Sequence, residues 1–185
     1  MPVNCRSAFA PKIIHPEDSM IALQITSMKQ FMSQLLAGDA FDIFLLEEAT
    51  LTTAITITID GHVNVDFYPM AERTPELIPY EYQPWSEMKG LCFDLIKGKR
   101  TPLYFKFVLQ LKPDKMKAML EKEKLSQKDA PLKSLVLTIK YDGGKAILTT
   151  GSSYQTFVLD KTADVVWDRQ ISKYLAMKGI AFEIL

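Results

Sequence analysis

The chain has 185 residues and carries no formal net charge, because 22 basic residues balance 22 acidic ones. Its length fits one domain or two small ones, and its 48% hydrophobic content excludes collagen, a disordered chain and a coiled coil. No apolar run approaches the roughly 20 residues of a membrane-spanning helix, so we expect no membrane contact.

Residues 1–19 differ from the rest of the chain, because they contain three prolines and lack both helical and strand periodicity. Pro11 and Lys12 interrupt the only stretch that could serve as the apolar core of a secretory signal. We therefore predict an irregular N-terminal extension, a native start at Met20 and a cytoplasmic protein.

Beyond Met20, the spacing of apolar residues alternates between the period of a strand and that of a helix. Strands are predicted at 21–26, 41–51, 55–59, 63–67, 103–111, 135–139, 145–150 and 154–160. Helices are predicted at 28–37, from Trp85 to Gly98, at 114–124 and from Thr162 to Gly179. Asp60-Gly61 and Asp142-Gly143 are typical of tight hairpin turns. A connector rich in proline and tyrosine occupies 69–84.

Three landmarks recur at nearly constant spacing, which indicates an internal duplication. The two Asp-Gly pairs lie 82 residues apart, as do Trp85 and Trp167, and Lys97-Gly98 precedes Lys178-Gly179 by 81. We therefore predict one α+β domain over 20–185, made of two units at about 20–98 and 102–179. Each unit has the order strand, helix, three strands, helix, and together they form a mostly antiparallel sheet with helices on one side.

Charge is segregated along the chain despite the neutral total. Residues 39–94 hold 11 acidic and two basic residues, whereas 97–128 hold 10 basic and three acidic ones. Either these segments lie side by side and neutralise each other, or they form opposite surfaces. Opposite surfaces would favour head-to-tail self-association or an anionic partner.

The basic segment supplies the candidate nucleic-acid contacts. The residues around Gly98 can simply complement the dipole of the preceding helix end, or they can join the lysines of helix 114–124 in binding phosphates. The candidate residues are Lys97, Lys99, Arg100, Lys112, Lys115, Lys117 and Lys122.

Two segments, FKFVLQLKPDKMKAMLEK and LVLTIKYDGGKAILTT, resemble a strand, inner helix and Asp-Gly hairpin of the DNA sliding clamps. The resemblance implies a clamp-like fold and a partner site beside the connector, where Tyr80 and Tyr82 are the candidate residues. Two further segments, MIALQITSMKQFMSQLL and LIKGKRTPLYFKF, are similar to a family of small uncharacterised bacterial proteins, which implies no activity.

No catalytic, metal or cofactor constellation is predicted. His15, His62, Cys5 and Cys92 lack ligand spacing, and no nucleophile elbow is present. Adjacent Glu47 and Glu48 should point to opposite faces of a strand.

Asp164 and Asp168 share one face near the start of a helix, which favours capping and solvation over a general acid/base pair. Two function classes remain open. One is a non-enzymatic binding protein for nucleic acid or a protein partner, and the other is an enzyme or small-molecule binder whose site forms only in three dimensions.

Overall fold

The computed structural model describes residues 20–125, 132–155 and 160–185. The described strands are β1 Ala22–Ile25, β2 Phe44–Thr52, β3 Thr56–Asp60, β4 Gln83–Pro84, β5 Tyr104–Leu111, β6 Leu132–Asp142, β7 Lys145–Tyr154 and β8 Phe182–Ile184. The described helices are α1 Met28–Leu36, α2 Trp85–Ile96, α3 Pro113–Lys122 and α4 Thr162–Met177, with short 3-10 turns at Val65–Phe67 and Met70–Glu72. His15 and Cys5 lie outside the described residues.

The eight strands form one open antiparallel sheet in the order β3-β2-β5-β6-β7-β1-β8, and β4 pairs with β2 beside this path. The first strand therefore leaves its own half of the chain and pairs with β7 and β8 at the far edge. The α+β class predicted from the sequence is confirmed.

The two faces of the sheet differ as the strand alternation predicts. Along β5, Phe105, Phe107 and Leu109 are fully buried, whereas Lys106 and Gln110 between them are partly exposed. The buried face belongs to one hydrophobic cluster that also contains residues from all four helices. The helices thus cover one side of the sheet, as predicted.

Each tryptophan anchors one helix to this core. Trp85 on α2 is fully buried and its indole N–H donates to the Leu35 carbonyl at 2.9 Å. Trp167 on α4 is 3% exposed and donates to the Val136 carbonyl at 3.1 Å. Both large rings therefore bury their apolar surface with the one polar group satisfied.

The four predicted helices and most predicted strands are confirmed, with three exceptions. No strand forms at 63–67, where Val65–Phe67 make a 3-10 turn, so the predicted hairpin at Asp60-Gly61 is wrong and the strand that pairs here is the short β4. β7 extends through Tyr154, so no separate strand begins there, and 156–159 of the predicted strand 154–160 lie outside the described residues. The sequence pattern did not predict β8.

The two predicted units differ in strand pairing and in the number of described strands between their helices. β5 pairs with β6 around α3, whereas β1 and β2, which flank α1, lie far apart in the sheet. Between the helices of the first half lie β2, β3 and β4, and the described residues of the second half hold β6 and β7 there.

Candidate functional site

In the structure the connector between β3 and β4 spans 61–82, so it begins earlier than the predicted 69–84. Its two ends are held together by backbone hydrogen bonds. Gln83 N–H donates to the Gly61 carbonyl, and Val63 N–H donates to the Glu81 carbonyl, both at 2.9 Å. His62 and Tyr82 form an isolated antiparallel bridge at this neck. The segment between them is thereby fixed to the sheet at both ends.

Inside the connector, hydrogen bonds made by side chains take the place of strand pairing. The Asn64 side chain accepts from Asp66 N–H and so caps the first 3-10 turn. The Arg73 guanidinium donates to the Asp66 carboxylate and to the Tyr68 carbonyl, each at 2.9 Å. These local bonds define one conformation for the segment that carries the candidate site.

Several large apolar side chains of the connector point to solvent. Phe67 is 83% exposed, Met70 80% and Leu77 64%, and Val65 is also exposed. The Phe67 ring lies edge-on to Tyr68 at 5.5 Å between centroids. The local sequence thus places an apolar cluster outside the core.

Both predicted partner-binding tyrosines line a pocket of about 290 Å³ beside this cluster, together with Tyr68 and Leu77. The Tyr82 ring packs edge-on against His62 at 5.5 Å, and the Lys112 ammonium lies 5.7 Å from the Tyr80 ring centroid. We define the connector surface as Val65, Phe67, Met70, Leu77, Tyr80 and Tyr82.

An acidic cleft adjoins the pocket on the other side of Tyr82. Glu47, Glu48 and Asp60 line this cleft of about 400 Å³. The prediction that Glu47 and Glu48 point apart is wrong, because a register shift between Leu46 and Glu48 forms a β-bulge that re-aims Glu47. Burial raises the pKa of Tyr82, and the surrounding carboxylates raise it further.

Polar partners fix the walls of the acidic cleft. Gln110 donates to Glu47 at 2.6 Å, and Lys106 pairs with Glu48 at 3.1 Å. His62 faces Glu81 across 3.5 Å, with both side chains more than half exposed. Sequence spacing gave no sign of this cleft, because it depends on the bulge and on the return of the chain at Tyr82.

The seven basic candidates fall into two groups at opposite ends of β5. Lys97, Lys99 and Arg100 precede the strand, whereas Lys112, Lys115, Lys117 and Lys122 follow it. Eight residues of strand separate the groups by roughly 25 Å at about 3.3 Å per residue. The structure therefore does not bring the seven together in one patch.

Neutralisation between the acidic and basic segments is partial. Lys106 pairs with Glu48, and Lys97 pairs with Asp94 at 2.7 Å. Lys115 lies 3.5 Å from Asp114 within its own segment. Exposed pairs of this kind contribute little to stability.

A buried polar ladder joins α4 to β7. Asp164 and Asp168 are each 3% exposed, so the prediction that they are solvated is wrong. Thr150 donates to Asp168 at 2.5 Å, and Ser152 and Tyr154 both donate to Asp164. The sequence does carry a signal for this burial. Hydroxyl side chains occur at every second residue of β7, and the two acids on α4 are four residues apart, so each set lies on one face of its element.

The ladder leaves two carboxylate oxygens without hydrogen-bond partners among the described residues, Oδ2 of Asp164 and Oδ2 of Asp168. The Lys161 ammonium lies 3.6 Å from Oδ2 of Asp164. Burial raises the pKa of Asp168 despite the hydrogen bond from Thr150. Burial likewise raises the pKa of Tyr154 to about 12. Ile21 N–H donates to the Thr150 hydroxyl at 3.0 Å, so the ladder also holds β1.

Cys92 is fully buried, and burial raises the pKa of its thiol to about 12. The thiol therefore stays protonated and fills core space, in the role predicted for it. Within the described ranges, no group of three or more metal-ligating side chains occurs.

A family model described as a family of unknown function, DUF5721, matches residues 34–183. The chain belongs to this family. The match runs from the last turn of α1 into β8, so it contains the connector, the acidic cleft and the aspartates and hydroxyls of the ladder. No curated protein and no solved structure matches the chain. Among the described residues, none of the helices combines the length and the apolar character that crossing a bilayer requires.

Proposed function

We propose that the chain is a cytoplasmic binding protein that docks a protein partner on the connector surface. The observation that carries this proposal is the exposure of Phe67, Met70 and Leu77, which are 83%, 80% and 64% accessible. Single exposed apolar residues are ordinary, but four within residues 65–77 beside an aromatic pocket are typical of an interaction site.

The surface is built to retain its shape before a partner arrives. The backbone bonds at its neck and the Arg73 contacts with Asp66 and Tyr68 hold the segment in place. A preorganised surface loses little conformational entropy on binding, which favours affinity. Tyr80 and Tyr82 add large amphipathic rings of the kind enriched at the centres of interfaces.

Charge defines the chemistry of the partner. The connector and its borders carry Asp60, Asp66, Glu72, Glu76, Glu81 and Glu87. Arg73 is engaged with Asp66, so the local potential is negative. A partner segment with basic and apolar side chains fits this surface best. The exposed lysines of α3 in a second copy supply the basic part of that chemistry, which makes head-to-tail self-association one form of the proposal.

Two arguments favour a protein partner over nucleic acid. The resemblance to sliding clamps implies docking beside the connector, and the connector surface occupies that place. The basic residues needed for phosphate contacts are divided between two ends of β5, which lowers the number that one duplex can engage. Nucleic acid therefore becomes an alternative outcome of the test.

The test compares the wild type with Phe67→Ser/Leu77→Ser and with the control Ile55→Ser/Leu103→Ser, which removes two exposed apolar residues elsewhere. Light scattering at rising concentration in low and high salt detects self-association. Affinity capture from native cells supplies other partners, and the affinity of each purified partner is then measured for all three proteins.

We expect the connector variant to weaken the partner by about tenfold or more, and the control to leave it unchanged. An equal effect of both variants would contradict the proposal. Salt-sensitive binding to DNA or RNA that is lost on Lys115→Glu/Lys122→Glu but retained by the connector variant would establish the nucleic-acid alternative instead.

A further inference from the structure

A separate cavity of about 280 Å³ lies between α1, the end of α2 and the start of β5. Its floor is apolar. Phe105 and Tyr141 are cross-strand neighbours whose rings stack at 4.9 Å between centroids with 10° between planes. Met28 and Met32 lie one turn apart on α1 and pack against the same core from the other side.

The rim of the cavity is cationic. Lys97, Lys99 and Arg100 line it, and all three side chains are exposed. Lys97 is engaged with Asp94 at 2.7 Å. Within the described part of the chain, neither Lys99 nor Arg100 has a carboxylate within the 4.0 Å of an ion pair. Two cations are thus available beside an apolar floor.

The parts of this cavity come from α1, from 96–105 and from Tyr141, and only the fold joins them. The basic residues also offset the negative end of α2, but that role requires no apolar cavity below them. The rim thus offers two cations that form no ion pair with the described residues, and the floor is apolar. This combination matches one class of ligand, in which an anionic head is attached to a hydrophobic body.

We propose that this cavity binds a small amphipathic anion with an aliphatic body, such as a medium-chain carboxylate. Methionine side chains adapt to flexible alkyl chains, and Lys99 and Arg100 bind the head. The lining offers only the hydroxyls of Thr101 and Tyr141 as neutral hydrogen-bonding side chains, which favours an alkyl body over a nucleobase. This site is independent of the connector surface.

The test is calorimetric titration with octanoate below its micelle concentration. Octanol and octyltrimethylammonium supply the same chain with a neutral and a cationic head, and adenosine monophosphate supplies an anion on an aromatic body. The variant Lys99→Gln/Arg100→Gln removes the cations at exposed positions. The control Lys115→Gln/Lys117→Gln removes the same charge from α3, about 25 Å away at the other end of β5.

We expect octanoate to bind with a Kd of about 1 mM or tighter, and octanol and the ammonium compound to bind at least about tenfold more weakly. Lys99→Gln/Arg100→Gln should weaken octanoate by about tenfold, and the α3 control should leave it unchanged. Equal affinities for octanoate and octanol, equal effects of both variants, absence of octanoate binding, or preferential binding of the nucleotide would each overturn the proposal.

Discussion

The same dipeptide, Asp-Gly, ends one strand in each half of the molecule, and the two copies have different structural roles. Asp142-Gly143-Gly144 closes the β6–β7 hairpin, with positive φ angles of 57° and 131° at the two glycines. Gly61 lies against β2, where its N–H donates to the Glu47 carbonyl at 2.9 Å. There the chain enters the connector instead of turning back.

The difference follows from the atoms that a side chain at each glycine position would contact. A Cβ at Gly143 would meet no atom within 4 Å, so only its φ angle requires glycine. A Cβ at Gly61 would lie 1.8 Å from the Leu46 carbonyl oxygen, so close backbone approach requires glycine there. A local turn signal therefore identifies a position that needs glycine. Tertiary contacts decide whether the reason is a positive φ angle or close approach of another strand.

Gly61→Ala should have the largest effect and would sharpen the comparison most. Since the new methyl group meets backbone of β2, the neck of the connector must shift. We expect a loss of about 3 kcal/mol or more in the free energy of unfolding, measured by urea denaturation. A loss below about 1 kcal/mol would show that the close approach is not maintained in solution.

Gly143→Ala should cost less, because space is open and only the left-handed backbone conformation opposes the side chain. We expect a loss of about 1–2 kcal/mol in the same denaturation assay. Gly143→Asn is the matched control and should recover part of that loss, because asparagine tolerates this conformation. A larger effect at Gly143 than at Gly61 would reverse the comparison.

Asp168→Asn tests the ladder of the second half through pH. Burial raises the pKa of Asp168, so the stability linked to its protonated form is complete below the unfolded pKa of about 4. That stability is lost as pH rises through the folded pKa. Relative to Asp168→Asn, the free energy of unfolding of the wild type should therefore fall as pH rises.

Asp160→Asn, two residues before the first residue of α4, is the control of opposite sign. Hydrogen bonds from Thr162 lower the pKa of Asp160, so its contribution is present above the unfolded pKa and is lost as pH falls. Unfolding experiments on both variants between pH 3 and 8 should give slopes of opposite sign. Parallel slopes would rule out this account of the ladder.

Phe67→Ser/Leu77→Ser should have the smallest effect on stability, because neither side chain belongs to the core. We expect the free energy of unfolding to change by less than about 0.5 kcal/mol while partner binding is lost. A large destabilisation would show that these residues serve folding rather than docking.

Much of the fold was predictable because it depends on local periodicity. The alternation from Phe105 to Leu111 and the helical spacing that begins at Trp85 identify β5 and α2 correctly. The pairing of β1 with β7 is a contact between distant segments, and no local pattern encodes it. The three-residue β8 was missed because a strand so short shows no alternation.

The candidate site was predictable only in part. Tyr80 and Tyr82 were candidates through the resemblance to the clamps, and both line one pocket, but the acidic cleft depends on the bulge at Glu47. The seven basic residues read as one cluster because they are close in sequence. A strand of eight residues then places them at opposite ends of the sheet.

The docking role of the connector surface is tested most directly by photo-cross-linking in cells. A benzophenone side chain replaces Phe67 in one protein and Ile55, which is also well exposed at the β2–β3 turn, in another. The account predicts a discrete covalent adduct with a partner or a second copy from position 67, and none from position 55. No adduct at position 67, or the same adduct at both positions, would contradict it.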